Sequence, residues 1–125
     1  MILVVGGIAS GKRTYVRSLG FSDDDMADGV LDDHPVVLNA QELVRCAEKA
    51  EGDELGGKGP LPDGLVDALA AKQVIACVEV GSGVVPLGRD ERAWRERAGR
   101  LACELAQRAD RVVRMVCGIP TDLKV

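Results

Sequence analysis

Short apolar runs alternate with helical periodicities along this chain. Ile2–Val5, Val36–Leu38, Val74–Val80 and Val112–Val116 are continuous and apolar, as expected of strands buried on both faces. Helical patterns fill the intervals. Lys12–Leu19 is the first, and Ala40–Ala50 follows with Leu43, Val44 and Ala47 on one face. Leu65–Ala71 is a shorter helix opened by Pro62-Asp63. Arg89–Ala109 is the longest, with Trp94, Ala98, Leu101, Leu105 and Ala109 spaced three or four apart. Strands alternating with helices predict an α/β fold, an open and mostly parallel sheet of about four main strands with helices on both faces. Gly20–Pro35 is acidic and glycine-containing, and predicts no strand between the first helix and Val36. Glu51–Pro60 is glycine-rich and reads as a loop.

Composition narrows the picture. With 125 residues the expectation is one domain, residues 1–125. Aromatics make up only 2% (Tyr15, Phe21 and Trp94), so Val, Leu, Ile and Ala must build the core. No apolar run approaches the roughly 20 residues of a membrane span, and a net charge of −4 argues against general nucleic-acid affinity. Cys46, Cys77, Cys103 and Cys117 form no C-x-x-C clip and read as reduced core residues of a cytoplasmic protein, without a metal site.

The most specific chemistry lies at the start. Ile2–Val5 runs into Gly6-Gly7-Ile8-Ala9-Ser10-Gly11-Lys12, followed by Arg13 and Thr14 at the head of the first helix. An apolar strand, a glycine-rich turn and a helix make a phosphate-binding loop: its backbone N–H groups converge on phosphate oxygens, and its lysine reaches the outer phosphates. Gly6, Gly7, Ile8, Ala9, Ser10, Gly11, Lys12, Arg13 and Thr14 are therefore the candidate phosphate contacts. The pattern G-x-x-x-x-G-K-[ST] fails at its last place, where Arg13 replaces the hydroxyl that normally ligates Mg²⁺. Thr14 points about 100° away from that position on the helix. Arg13 either adds positive charge or points to solvent.

The C-terminal half carries further motifs. Glu79-Val80-Gly81-Ser82-Gly83-Val84-Val85-Pro86 ends a strand in a carboxylate and a glycine turn. Arg89, Arg92, Trp94-Arg95-Glu96 and Ala98-Gly99-Arg100 follow, then Ala109-Asp110 and Cys117-Gly118-Ile119-Pro120 with Lys124. These stretches, with the glycine loop, closely resemble the bifunctional adenosylcobinamide kinase / adenosylcobinamide-phosphate guanylyltransferase family of cobalamin biosynthesis. The resemblance covers residues 1–19 and about 74–124. It implies a P-loop nucleotide-binding fold, reduced in size, that uses GTP or ATP and takes adenosylcobinamide as substrate. It also implies assembly as a homo-oligomer.

The same resemblance marks departures. The family's helix with its guanylyl-accepting histidine has no counterpart between Gly20 and Val36, where Asp23-Asp24-Asp25-Met26-Ala27 looks like a remnant of its start. His34, in Asp32-Asp33-His34-Pro35, does not match that context and reads as a surface imidazole. Asn39 stands where the family has a glutamate, and Val78 where it has an asparagine. An amide adds no charge to hold Mg²⁺. Lys12 and Glu79 are the catalytic candidates, Glu79 through a metal-bound water or as a base, and Asn39 joins the nucleotide-contacting set. The arginines of Arg89–Arg100 read as a solvated or inter-subunit face, given the interleaved glutamates. Three functions fit these residues: a nucleotide-dependent transferase of the kinase/guanylyltransferase type, a catalytically impaired relative that binds nucleotide or oligomerises on the retained scaffold, and a different small P-loop kinase acting on another alcohol.

Overall fold

A computed structural model describes residues 1–7, 9–44, 61, 64–78 and 89–125, excepting the side chains of 89–93. Its centre is a six-stranded sheet. In chain order the strands are β1 (Ile2–Gly6), β2 (Met26–Asp28), β3 (Val36–Leu38), β4 (Val74–Val78), β5 (Arg111–Val116) and β6 (Ile119–Lys124). They lie side by side as β2-β3-β4-β1-β5-β6, all parallel except the antiparallel β6. Helices α1 (Lys12–Ser18), α2 (Leu65–Ala70) and α3 (Arg89–Arg108) flank the sheet, with a helical turn at residues 41–44 and a 3₁₀ turn at Asp23–Asp25. The α/β expectation is met.

β1 is central, paired with β4 on one side and β5 on the other, so its side chains enter cores on both faces. Leu3 packs with Ile75, Leu69, Leu101 and Leu105 beneath α2 and α3. Val4 packs with Ala76, Val113, Met115 and Val16 beneath α1. This two-sided burial is why the strand reads as an unbroken apolar run rather than an alternating one. The sequence reaches Gly6 at the strand's end because no larger residue fits there. A Cβ on Gly6 would lie 2.7 Å from the Met115 carbonyl oxygen.

Two strands depart from the sequence expectation. Met26–Asp28 is a strand where none was predicted, and Asp23–Asp25 is a 3₁₀ turn rather than a helix remnant. The turn is closed by the Asp25 carboxylate, which accepts from the Ser22 N–H at 2.9 Å. The chain is then free to enter β2 in register with Val36–Leu38. β6, with β2, makes the sheet six-stranded instead of four-stranded. β6 is exposed along its whole length, so no apolar pattern announces it. Its hold is non-local: Arg111 meets Asp122 across the strand pair at 2.8 Å, and the Lys124 ammonium donates to the Ala106 and Gln107 carbonyls at 3.1 Å, closing the C-terminal end of α3.

Smaller corrections follow from the packing. Arg97, on the arginine-rich helix, is only 3% exposed, so that face is not wholly a solvated one. Cys77 is a core residue, but Cys103 and Cys117 are exposed; Cys46 lies outside the described residues. Residues 45–60 fall outside them too, so the extension of the Ala40–Ala50 helix and the Glu51–Pro60 loop are not described. Among the described residues no helix is long and apolar enough to cross a membrane.

Candidate functional site

The carboxyl ends of parallel strands are where ligands of open α/β sheets bind, because loops diverge there and leave a crevice. Here β1 leads to α1 on one face, while β4 precedes α3 on the other. Between these exits lies a pocket of about 410 Å³, lined by Ala9–Thr14, Asp28, Leu38, Asn39 and Ala76.

The glycine loop forms one wall, and its backbone needs glycine at position 11 for two reasons. Gly11 sits at φ 95°, a left-handed conformation that residues with a Cβ avoid, immediately before α1. It also lies against the β5–β6 turn, where a Cβ would approach the Gly118 Cα to 3.1 Å. That turn braces the loop directly, since the Gly118 N–H donates to the Ser10 carbonyl at 2.9 Å. Ala9 is held at φ 58° in the same loop. The first amides of α1 have no acceptor within the helix and remain available to an anion in the pocket.

Lys12 folds over this loop. Its ammonium donates to the Gly7 carbonyl at 2.6 Å, with longer contacts to the Gly6 carbonyl at 3.3 Å and Ser10 Oγ at 3.4 Å. Partial burial holds its pKa below the ordinary 10.5, opposed by the nearby Cys77 sulfur. Cys77 is buried and its thiol is pushed up to about 12, which keeps it protonated and unreactive. The sign of the lysine shift gives a prediction. An anion needs the protonated lysine, so affinity for inorganic pyrophosphate falls as pH rises through a midpoint below 10.5. Stability without ligand moves oppositely, since the folded state disfavours the charged form and gains as that proton leaves. Pyrophosphate titrations at rising pH, beside Lys12→Met, check this: the fall in affinity that follows the lysine's titration is absent in the variant.

The opposite wall is a chain of side chains. Arg13 lies 3.5 Å from the Asp28 carboxylate, with both groups about half exposed. The Asn39 amide donates to Asp28 at 2.6 Å, and its oxygen accepts from the Gln41 amide at 3.3 Å. Gln41 is buried. Its oxygen accepts from the Val78 N–H at 3.1 Å, and its carbonyl accepts from Trp94 Nε1 at 3.0 Å. Asn39 itself adopts φ 53°, a region asparagine tolerates better than most residues. The network therefore runs from Arg13 at the pocket through Asp28, Asn39 and Gln41 to the end of β4 and α3.

Of the residues expected from sequence, Ala9, Ser10, Gly11, Lys12, Arg13, Thr14 and Asn39 line the pocket together. Gly6 and Gly7 stand behind it and accept from Lys12. Ile8 and Glu79 lie outside the described residues. Sequence reasoning missed Asp28 and Gln41. Asp28 is hidden in an acidic run, and only its place at the carboxyl end of a strand marks it.

His34 is far from this constellation along the sheet. It precedes β3, whereas Asn39 follows it, so the two sit at opposite ends of that strand. Its Nδ1 lies 2.6 Å from Asp32, whose carboxyl is held below its usual range by the His34 backbone N–H first and the ring second. That fits a surface imidazole.

Among the described residues the donor set does not fit Mg²⁺. A guanidinium stands where a hydroxyl would ligate, the Asn39 oxygen is taken by Gln41, and the Asp28 carboxylate is engaged by Arg13 and Asn39. Among the described residues no three of His, Cys, Asp and Glu converge as a metal-holding group.

The comparisons bear on the other half of the chain. The family model for cobinamide kinase / cobinamide phosphate guanyltransferase matches residues 62–123, a stretch containing α2, β4, α3, β5 and most of β6. The bifunctional adenosylcobalamin biosynthesis protein CobP of Pseudomonas aeruginosa is 39% identical over 56 residues, which cover 45% of this chain and 32% of that protein. The match thus spans about a third of the length of this curated relative. On these matches, and in keeping with the mostly parallel sheet, the chain is a member of the cobinamide kinase / cobinamide phosphate guanyltransferase family.

Proposed function

We propose that this chain is a single-domain, reduced P-loop protein of cobalamin biosynthesis that binds GTP or ATP by its phosphates in the glycine loop. The observation that carries this reading is the pocket at the carboxyl ends of the strands, where the Lys12 ammonium lies over the Gly6–Gly7 carbonyls beside Ala9–Thr14. Lys12 neutralises outer-phosphate oxygens and the loop amides cradle the inner ones. The family membership supports adenosylcobinamide as the second substrate and phosphoryl transfer to its hydroxyl, with Glu79 as base. Homo-oligomeric assembly in the cytoplasm belongs to the same proposal.

A specific observation favours a second reading, a nucleotide-binding relative in which transfer is impaired. Phosphoryl transfer draws much of its rate from a held divalent cation, and Arg13 and Asn39 replace its ligands. The guanylyl step loses its nucleophile as well, because His34 sits at the opposite end of β3. Both readings require nucleotide binding, and thermal denaturation with GTP and ATP tests it. At a hundredfold excess over Kd the ligand stabilises by about 2.7 kcal/mol, which raises Tm by roughly 10 °C. No shift at millimolar nucleotide refutes both readings. A shift with no phosphorylation of adenosylcobinamide selects the second.

A further inference from the structure

Beside Lys12 the pocket holds a second cation on a short tether. Arg13 is half exposed at the pocket, and the Asp28 carboxylate that pairs with it stands off at 3.5 Å, longer than a close ion pair. Asp28 is instead gripped at 2.6 Å by the Asn39 amide, whose other end is fixed by buried Gln41. The carboxylate is thereby positioned whether or not the arginine stays. Arg13 is the member free to turn, and an incoming polyphosphate offers it more negative charge than Asp28 does.

We propose that the Arg13 guanidinium replaces the divalent cation at this site, so that the pocket takes nucleoside polyphosphates in their metal-free form, with Asp28 as the internal counter-ion they displace. This deepens the nucleotide reading and rests on it. Three features on the page converge here. The hydroxyl position carries a permanent cation, because a guanidinium cannot lose its proton in a protein. The amide and carboxylate that face it are already paired with each other and with Gln41. Lys12 and Arg13 approach the same pocket, giving a polyphosphate two cationic contacts without a metal. A planar guanidinium also matches phosphate oxygens two at a time, which an ammonium does not.

Calorimetric titration of the full chain with GTP, ATP and inorganic pyrophosphate, each in EDTA and in excess MgCl₂, tests this. The expected result is tighter apparent binding in EDTA than in MgCl₂, because excess Mg²⁺ sequesters the metal-free polyphosphate that the pocket takes. Arg13→Gln loses about tenfold in EDTA, the worth of one charge-assisted contact. Asp28→Asn gains severalfold, because it removes the competing counter-ion. Both substitutions are at half-exposed positions, and an unchanged unliganded Tm confirms that the variants fold. A tenfold or greater gain on adding Mg²⁺ to wild type overturns the proposal. So does unaltered affinity of Arg13→Gln in EDTA, or an Asp28→Asn variant that binds more weakly in MgCl₂, which marks Asp28 as a metal ligand. Those results leave the nucleotide reading standing. Absence of binding in either buffer, by contrast, removes that reading and this one together.

Discussion

Replacing Lys12 by methionine is expected to weaken nucleotide binding by about 10- to 100-fold while leaving the unliganded fold as stable as before. Hydrogen bonds to charged groups contribute about 1.5–3 kcal/mol each, which is the basis of that range. Lys12 is the cation nearest the loop carbonyls, and without ligand its ammonium spends itself on the Gly7 and Gly6 oxygens. The contact with the Gly7 carbonyl is exposed, so water takes over when the ammonium is removed, and a partly desolvated charge disappears with it. Methionine keeps the length of the stem and its packing. The two effects separate cleanly: calorimetric titration with GTP reads the loss of affinity, and urea denaturation without ligand reads the fold. A variant that binds as wild type does would remove Lys12 from the site. One that unfolds would mean the lysine braces the loop rather than waiting for an anion.

How much of this site was legible in the sequence follows from how local its causes are. β1, the glycine loop and α1 were legible because each announces itself within a few residues: an apolar run, glycines at obligatory positions, then a helical period. α3 was legible through its Trp94–Ala109 spacing. β2 was not, since Met26-Ala27-Asp28 has no strand pattern of its own and exists by pairing with Val36–Leu38. Losing β2 hid Asp28, because its role depends on standing at the end of that strand. β6 was invisible for a related reason: it contains Pro120 and Asp122, buries no position, and draws its stability from β5 and the end of α3. Gln41 illustrates the same limit. A buried glutamine two residues after Asn39 has no sequence signature, and its purpose emerges only when Val78, Trp94 and Asn39 converge on it. Arg13 was conspicuous as a broken motif, yet its partner could be named only from the fold.

The glycine that ends β1 should be the least replaceable residue of the loop. Gly6→Ala is expected to destabilise the protein by about 1–3 kcal/mol, the usual cost of overpacking a filled site, and to lower Tm by roughly 5–15 °C. The added Cβ would meet Ser10 Oγ at 2.5 Å and the Met115 carbonyl oxygen at 2.7 Å. The hydroxyl can rotate away, but the carbonyl is backbone of β5 in register with Gly6 itself, so relief requires β1 and β5 to part. Parting them also moves the β5–β6 turn, through which Gly118 holds Ser10. Nucleotide affinity should therefore fall in the fraction that remains folded, beyond what destabilisation explains. Gly7→Ala is the control: a Cβ there meets nothing within 4 Å, and its stability should stay within about 0.5 kcal/mol of wild type. Thermal denaturation of the two variants side by side, followed by GTP titration below their melting ranges, decides the matter. Equal destabilisation at both positions would mean that the contact with β5 does not hold the loop in place.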